Sequence, residues 1–183
     1  MAFRLVNRRR LSFWLRAYAP LRLILKTAVR LFVPTHYVGA VVALFDDRGQ
    51  VLLVEHVFRT DYPWGLPGGW VARGETPIDA VTREIHEELR LQIDVKELLS
   101  VALIQETAMA SHPRHLGLAY YARLRAGRYT PSSEVLSVRW ADPEHIDEDL
   151  GPFQRAAVVA GRAAFNRDTE RDRMSFVRRI DGG

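Results

Sequence analysis

The chain contains no cysteine. That excludes disulfides, thiolate zinc sites and a cysteine nucleophile, and it fits a reducing compartment. A long charge-free apolar run is also missing: no stretch approaches the roughly 20 residues that a membrane-spanning helix needs. Arg16 and Pro20 interrupt the first apolar segment and no small-residue cleavage site follows, so the sequence predicts no secretory signal. No internal repeat is present. The last shortage is local. Residues 1–36 hold eight Arg or Lys and no Asp or Glu. The remainder carries 18 basic against 22 acidic residues, a net of −4 that the overall charge of +4 conceals.

What is present suits one globular domain with extensions. The length of 183 residues and an apolar share of 48% are ordinary for such a chain. Three segments are predicted: a basic amphipathic helical extension over 1–36, a catalytic domain over 37–165 and a charged tail over 166–183. In the extension, helix is expected over 3–33 with a break at Pro20. Leu21, Ile24, Leu25, Ala28, Leu31 and Phe32 recur at helical spacing, while Arg22, Lys26 and Arg30 fall four apart on another face. Three occupants suit such an arm, in this order. They are its own domain or a sister subunit in a homodimer, an anionic membrane met peripherally, and nucleic acid. Phe13, Trp14 and Tyr18 beside arginines favour the membrane within that set. No specific nucleic-acid partner is predicted. The expected location is cytoplasmic, extending to the inner membrane face if the arm is an anchor.

From Tyr37 the period shortens. Runs at Val38–Phe45 and Gln50–His56 flank the turn Asp46-Asp47-Arg48-Gly49 and predict a hairpin, with Val41, Val42, Leu52, Leu53 and Val54 in the core. Further strands are predicted over 70–72, 95–104, 116–124 and 135–140. A short acidic helix is expected over 143–149 and an alanine-rich one over 152–165. His112 and His115 stand three apart around Pro113, but no third metal ligand is near them, and surface loop histidines are the plainer reading.

The most informative stretch is Gly68–Leu91. Pro67 precedes Gly68 and Gly69, which permit close approach of the backbone to a ligand. Thr76, Pro77 and Asp79 read as a helix start: N-cap, first helical position and first-turn acid. Ile78, Val81, Ile85 and Leu89 form the predicted buried stripe. Glu84, Glu87 and Glu88 then stand at i, i+3 and i+4 and project from one side, with the small Ala80 expected to leave room for a ligand beside them. Like charges so spaced cost a few tenths of a kcal/mol per pair. A helix needing only solubility would alternate its signs. Three carboxylates without an interleaved lysine suit a hard divalent cation. A solvated acidic face is the bland alternative, and the surrounding spacing argues against it.

That spacing runs from Gly69 over five residues to Glu75, over seven to Arg83-Glu84-Ile85, then Glu87-Glu88 and Arg90-Leu91. It resembles the Nudix box, the signature of the Nudix hydrolases, with Arg90 where the family usually has glycine. The Trp64-to-Gly69 approach and the stretch from Glu134 to Trp140 also look like the family. The resemblance implies an α/β/α sandwich around a mixed sheet. It implies an enzyme that uses Mg²⁺ or Mn²⁺ to hydrolyse a pyrophosphate bond in a nucleoside diphosphate linked to another moiety, of ADP-ribose or nucleotide-sugar type. By position, Glu84, Glu87 and Glu88 would be metal ligands, with Gly68 offering a carbonyl. Gly69, Glu75 and Arg83 would be structural, with Glu75 and Arg83 paired. The catalytic base would be Glu87 or, on a later loop, Glu134, with Glu106 behind it. Arginine at position 90 implies a reshaped helix exit at a cost of about 1 kcal/mol, not a lost site.

Substrate choice is less well marked. Glu106, Thr107 and Ala108 occupy positions where some subfamilies carry a diagnostic proline or tyrosine. Arg59 is either a phosphate contact or a solvated loop arginine. Phe58 and Tyr62 are substrate-binding candidates, and Trp64 and Trp70 serve equally as stacking or core residues. A rival reading is a non-catalytic Nudix-fold module that senses a nucleotide or is tethered by its arm. Degenerate box carboxylates would favour it, and here they are intact.

Overall fold

The structure, a computed structural model, describes residues 19–32, 36–57, 62–104, 114–130 and 132–181. The chain divides into two compact units, residues 1–35 and 36–183. In the first, α1 (Ala19–Phe32) carries Pro20 in its first turn, where a missing N–H is harmless. Among the described residues no helix is long and apolar enough to cross a membrane.

The second unit is built on one mixed sheet. Its strands are β1 (Tyr37–Phe45), β2 (Val51–His56), β3 (Trp64–Gly65), β4 (Gly68–Trp70), β5 (Gln92–Ile104), β6 (His115–Ala126) and β7 (Val135–Ala141). The order is β3-β2-β1-β6-β5, with β4 also on β1 and β7 also on β2. β1 and β6 run parallel, and the other pairs are antiparallel. The hairpin is real only at its base. Phe45 pairs with Val51, and Asp46 closes the turn by accepting the Arg48 and Gln50 N–H groups at 2.9 and 2.8 Å. Farther along β1, β4 takes that edge instead.

Alternation sorts the core onto two faces. Val42, Leu44, Leu52, Val54, Tyr120 and Ala122 join Val81, Ile85 and Leu89 of helix α2 (Pro77–Leu89). Ala43, Phe45, Leu53, Ala119 and Tyr121 join Ala157, Val158, Ala164 and Phe165 of helix α3 (Pro152–Asp181). A sheet covered on both faces explains why Leu52, Leu53 and Val54 are all buried. The result is the expected α/β/α sandwich. Each fully buried aliphatic of α2 contributes roughly 1.5–3 kcal/mol to holding the helix on the sheet.

Several local expectations give way to non-local contacts. β4 is Gly68–Trp70 rather than 70–72. The edge of β1 takes Gly68, Gly69 and Trp70, and the Ala72 N–H turns aside to the Glu75 carboxylate at 2.9 Å. No helix forms over 143–149. Asp142 caps a turn there, accepting the Glu144 N–H on its side chain and the His145 N–H on its carbonyl, and Glu148 pairs with Arg139 of β7. The alanine-rich helix does not stop at Phe165 but runs to Asp181. Asp168 and Asp172 lie one turn apart and meet Tyr121 and Arg123 of β6, so that face of the charged segment has partners. Ile78 is half exposed, and Ala80 is fully buried as a packing position rather than open space beside the glutamates.

Candidate active site

The site begins with the cap of α2. Thr76 is extended at φ −84° and ψ 153°, and its hydroxyl oxygen accepts the Asp79 N–H at 3.2 Å. Pro77 follows in the first turn. These choices fix where the helix starts and therefore which residues share its flank. At the other end Arg90 adopts φ 59° and ψ 24°, so the exit is not reshaped: the arginine takes the left-handed conformation that a glycine would hold there. Its N–H still reaches the His86 carbonyl at 3.1 Å. The next orphan carbonyls of the helix are taken from outside. The Ser132 N–H donates to the Glu88 carbonyl at 2.8 Å and the Thr130 N–H to the Leu89 carbonyl at 3.1 Å.

Gly68 and Gly69 are required by contact. Gly68 has φ 145°, and a Cβ there would strike the Ala40 carbonyl across the sheet. A Cβ on Gly69 would run into the Glu84 carboxylate. The paired glycines therefore let β4 seat on β1 while Glu84 of α2 approaches its backbone.

Arg83 organises the carboxylates. Its Nε and Nη2 donate to the two oxygens of Glu75 at 2.8 and 3.1 Å. Its Nη1 donates to Glu84 at 2.9 Å and Glu87 at 3.1 Å, and Nη2 also reaches the Trp70 carbonyl at 3.3 Å. All five guanidinium N–H groups thus have an acceptor. The guanidinium, foremost, and then the Ala72 N–H hold the Glu75 carboxyl below its usual range. Glu75 in turn is the main cause of a raised Arg83 pKa. Loop 71–75 and the helix are locked together by a fully charged pair.

The three box glutamates differ in setting. Glu84 is half-buried against Gly69, and the Glu87 side chain is 58% exposed. Glu88, 8% exposed, is the one buried charged residue among those described. As they lie, no three His, Asp or Glu side chains among the described residues converge to hold a metal. The Arg83 guanidinium stands between Glu84 and Glu87. The donor set nonetheless suits a hard divalent cation. All three are oxygen donors on one flank of a rigid helix, Gly69 leaves a bare backbone beside Glu84, and the exposed Glu87 has room to turn.

Glu134 sits on the loop between β6 and β7. It is exposed, and its carbonyl accepts the Val57 N–H at 3.2 Å. The loop that carries it is the same one that caps α2 through Thr130 and Ser132. Glu134 is therefore tied to the exit of the box helix, a link that no local sequence signal announces. Tyr62 is exposed beside Gly151. Trp64 packs against the core on the α3 face, whereas Trp70 is 41% exposed. The Trp70 ring meets His115 edge-on at 4.9 Å and Tyr37 at 6.0 Å. His115 is thus the first residue of β6 in an aromatic cluster, not a loop histidine. Phe58, Arg59, Glu106 and His112 lie outside the described residues.

Comparison with known proteins agrees with this geometry. The NUDIX domain profile matches residues 35–160. "Nucleoside diphosphate-linked moiety X motif 6" of Xenopus laevis is 32% identical over 137 residues, covering 71% of this chain and 59% of that protein. "Putative nudix hydrolase 1" of Caenorhabditis elegans is 32% identical over 117 residues, 61% of this chain and 30% of its own length. The chain thus spans less than two thirds of the length of each of these two relatives. Among solved structures, the MutT NUDIX hydrolase from Burkholderia pseudomallei superimposes with a TM-score of 0.60 at 26% identity, over 69% of this chain and 98% of that one. With the box in place, the sandwich built around it and the profile covering most of its length, the chain belongs to the Nudix hydrolase family.

Proposed function

We propose that the protein is a divalent-cation-dependent pyrophosphohydrolase that cleaves a nucleoside diphosphate linked to another moiety, of ADP-ribose or nucleotide-sugar type, and that it works in the cytoplasm. The observation that carries this is the flank of α2, where Glu84 lies against Gly69, Arg83 holds Glu84 and Glu87 together, and Glu88 follows on the same side of the helix.

In this proposal Glu84, Glu87 and Glu88, with the Gly68 carbonyl, hold Mg²⁺ or Mn²⁺. When bound, the cation neutralises phosphate oxygens and lowers the pKa of the attacking water. The chain's own residues do the rest. Arg83, anchored by Glu75, keeps Glu84 and Glu87 on the same side of the helix. Glu87 or Glu134 takes the proton of the water. The exposed Trp70 ring offers a face for a nucleobase next to the box, since its own carbonyl is bonded to Arg83. Tyr62, Phe58 and Arg59 complete the proposed substrate contacts. The name of the frog relative supports the substrate class for that protein, and the class is extended to this chain only as part of the proposal.

The test is release of a nucleoside monophosphate, with Mg²⁺ or Mn²⁺, from a panel of ADP-ribose, nucleotide sugars, dinucleoside polyphosphates, CDP-alcohols and oxidised nucleoside triphosphates. Loss of one cation ligand removes several kcal/mol of charge stabilisation. Glu87→Gln and Glu88→Gln are each expected to lower turnover by about a hundredfold or more, with unchanged circular dichroism. Full turnover in both variants would remove these residues from the site. No turnover of any panel member by the wild type would favour a nucleotide-sensing module instead.

A further inference from the structure

Helix α1 lies outside the span matched by the family profile, and its surface asks for a partner of its own. We propose that α1 (Ala19–Phe32) lies in the plane of an anionic membrane surface, with its apolar face among the upper acyl chains and its basic positions at headgroup level.

Ile24, Leu25, Leu31 and Phe32 share one arc of the helix and are 63, 47, 73 and 82% exposed, with Val29 at its border, while Leu23, also exposed, falls on the basic side between positions 27 and 30. Water is a poor environment for six large apolar side chains on one short helix. The polar side is basic. Within α1 only Arg22, Lys26, Thr27 and Arg30 are polar, and no acid is present. A helix that packs on protein usually backs its apolar stripe with a broad face of mixed charge. Here the polar edge is of one sign, and apolar residues come close to it on both sides. Long basic side chains in that position extend their heads toward phosphate while their stems stay in the apolar layer.

Charge selects the kind of surface. Every charged residue of segment 1–36 is basic, so its complement is anionic. An acidic protein face would satisfy the charge but not the apolar arc. A zwitterionic bilayer would satisfy the arc but not the charge. An anionic lipid surface satisfies both. Geometry selects the mode, because 14 residues span about 21 Å, short of the roughly 30 Å hydrocarbon core. The helix lies along the surface and does not cross it. The protein would then sit at the inner membrane face.

Vesicle co-sedimentation of the full chain tests this, with phosphatidylcholine alone and with about a quarter phosphatidylglycerol added. The wild type is expected to pellet with the anionic vesicles only, and less so at high salt. Neutralising the charge in Arg22→Gln/Lys26→Gln/Arg30→Gln should reduce partition by about a hundredfold. Ile24→Glu/Leu31→Glu should reduce it comparably. Both variants keep hydrolysis of a soluble substrate, which controls for folding. If the Ile24→Glu/Leu31→Glu variant pellets like wild type, the contact is electrostatic adsorption and the in-plane helix is wrong. If the wild type does not pellet, the proposal fails outright. Sedimentation velocity without lipid then separates the causes: a dimer lost in Ile24→Glu/Leu31→Glu assigns the face to a second copy, and a monomer throughout assigns it to the chain itself.

Discussion

Arg83 is the residue on which the site's arrangement turns. It donates to Glu75, Glu84, Glu87 and the Trp70 carbonyl at once. Its pair with Glu75 has a pH signature. The Glu75 carboxyl titrates below its usual range when folded, while the unfolded chain titrates near the reference value of about 4.3. The pair's contribution is therefore present above that value and lost as pH falls through the lower, folded one. Glu75→Gln is expected to be less stable than wild type in urea at neutral pH, with the gap closing below about pH 4. A gap that stays constant down to acid pH would mean that Glu75 stabilises by packing, not by charge. Arg90 is the converse case, a residue that strains its place. At φ 59° a side chain costs about 1–2 kcal/mol and glycine little. Arg90→Gly is expected to raise stability by about 1 kcal/mol without changing turnover, read as the urea midpoint and kcat side by side. The box residues were legible in the sequence because they belong to one helix: Glu84, Glu87 and Glu88 follow its 3.6-residue period, and Thr76 and Arg90 stand at its two caps. Trp70 and His115 were not, since their contact is made across strands 45 residues apart in the chain.

At the scale of elements, the same division holds. α2 was readable from its cap and its stripe. The start of β4 was not, because it depends on pairing with Gly39, Ala40 and Val41. Nor was the capping of α2 by loop 127–134, which supplies backbone N–H groups without any telling side chain. α3 was read too short for a similar reason. Its charged half looks like a solvated tail until Tyr121, Arg123 and Glu97 are found beside Asp168, Asp172 and Arg167. Within α3, Gly161 packs tightly against the sheet. A Cβ there would lie 2.8 Å from Ala43 Cβ and 2.9 Å from the Phe45 ring. Alanine gains about 1 kcal/mol of helix propensity over glycine, while overpacking a tight core costs about 1–3 kcal/mol. Gly161→Ala is therefore expected to destabilise by about 1 kcal/mol in chemical denaturation, the reverse of its effect in an exposed helix. A gain in stability would show that α3 shifts to make room.

At the scale of the molecule, the chain is a family domain with an arm of opposite charge. The class of the domain was legible through the box, whose resemblance to the Nudix family implies a mixed sheet between helices. Its connectivity was not. The parallel β1–β6 register joins residues 78 apart along its whole length, from Tyr37 with His115 to Phe45 with Arg123. That single fact bears on the order in which the domain comes into being. Bringing such distant segments together is slow, since the loop's entropy is lost before the contacts form. α2 and its turn close early, being local. The strand that seats Gly69 and the loop that carries Glu134 find their places only once β1 and β6 have met. On refolding from urea, helical signal should return before hydrolytic activity, and activity should follow the slowest folding phase. A chain caught midway would carry every residue of the box and none of its chemistry.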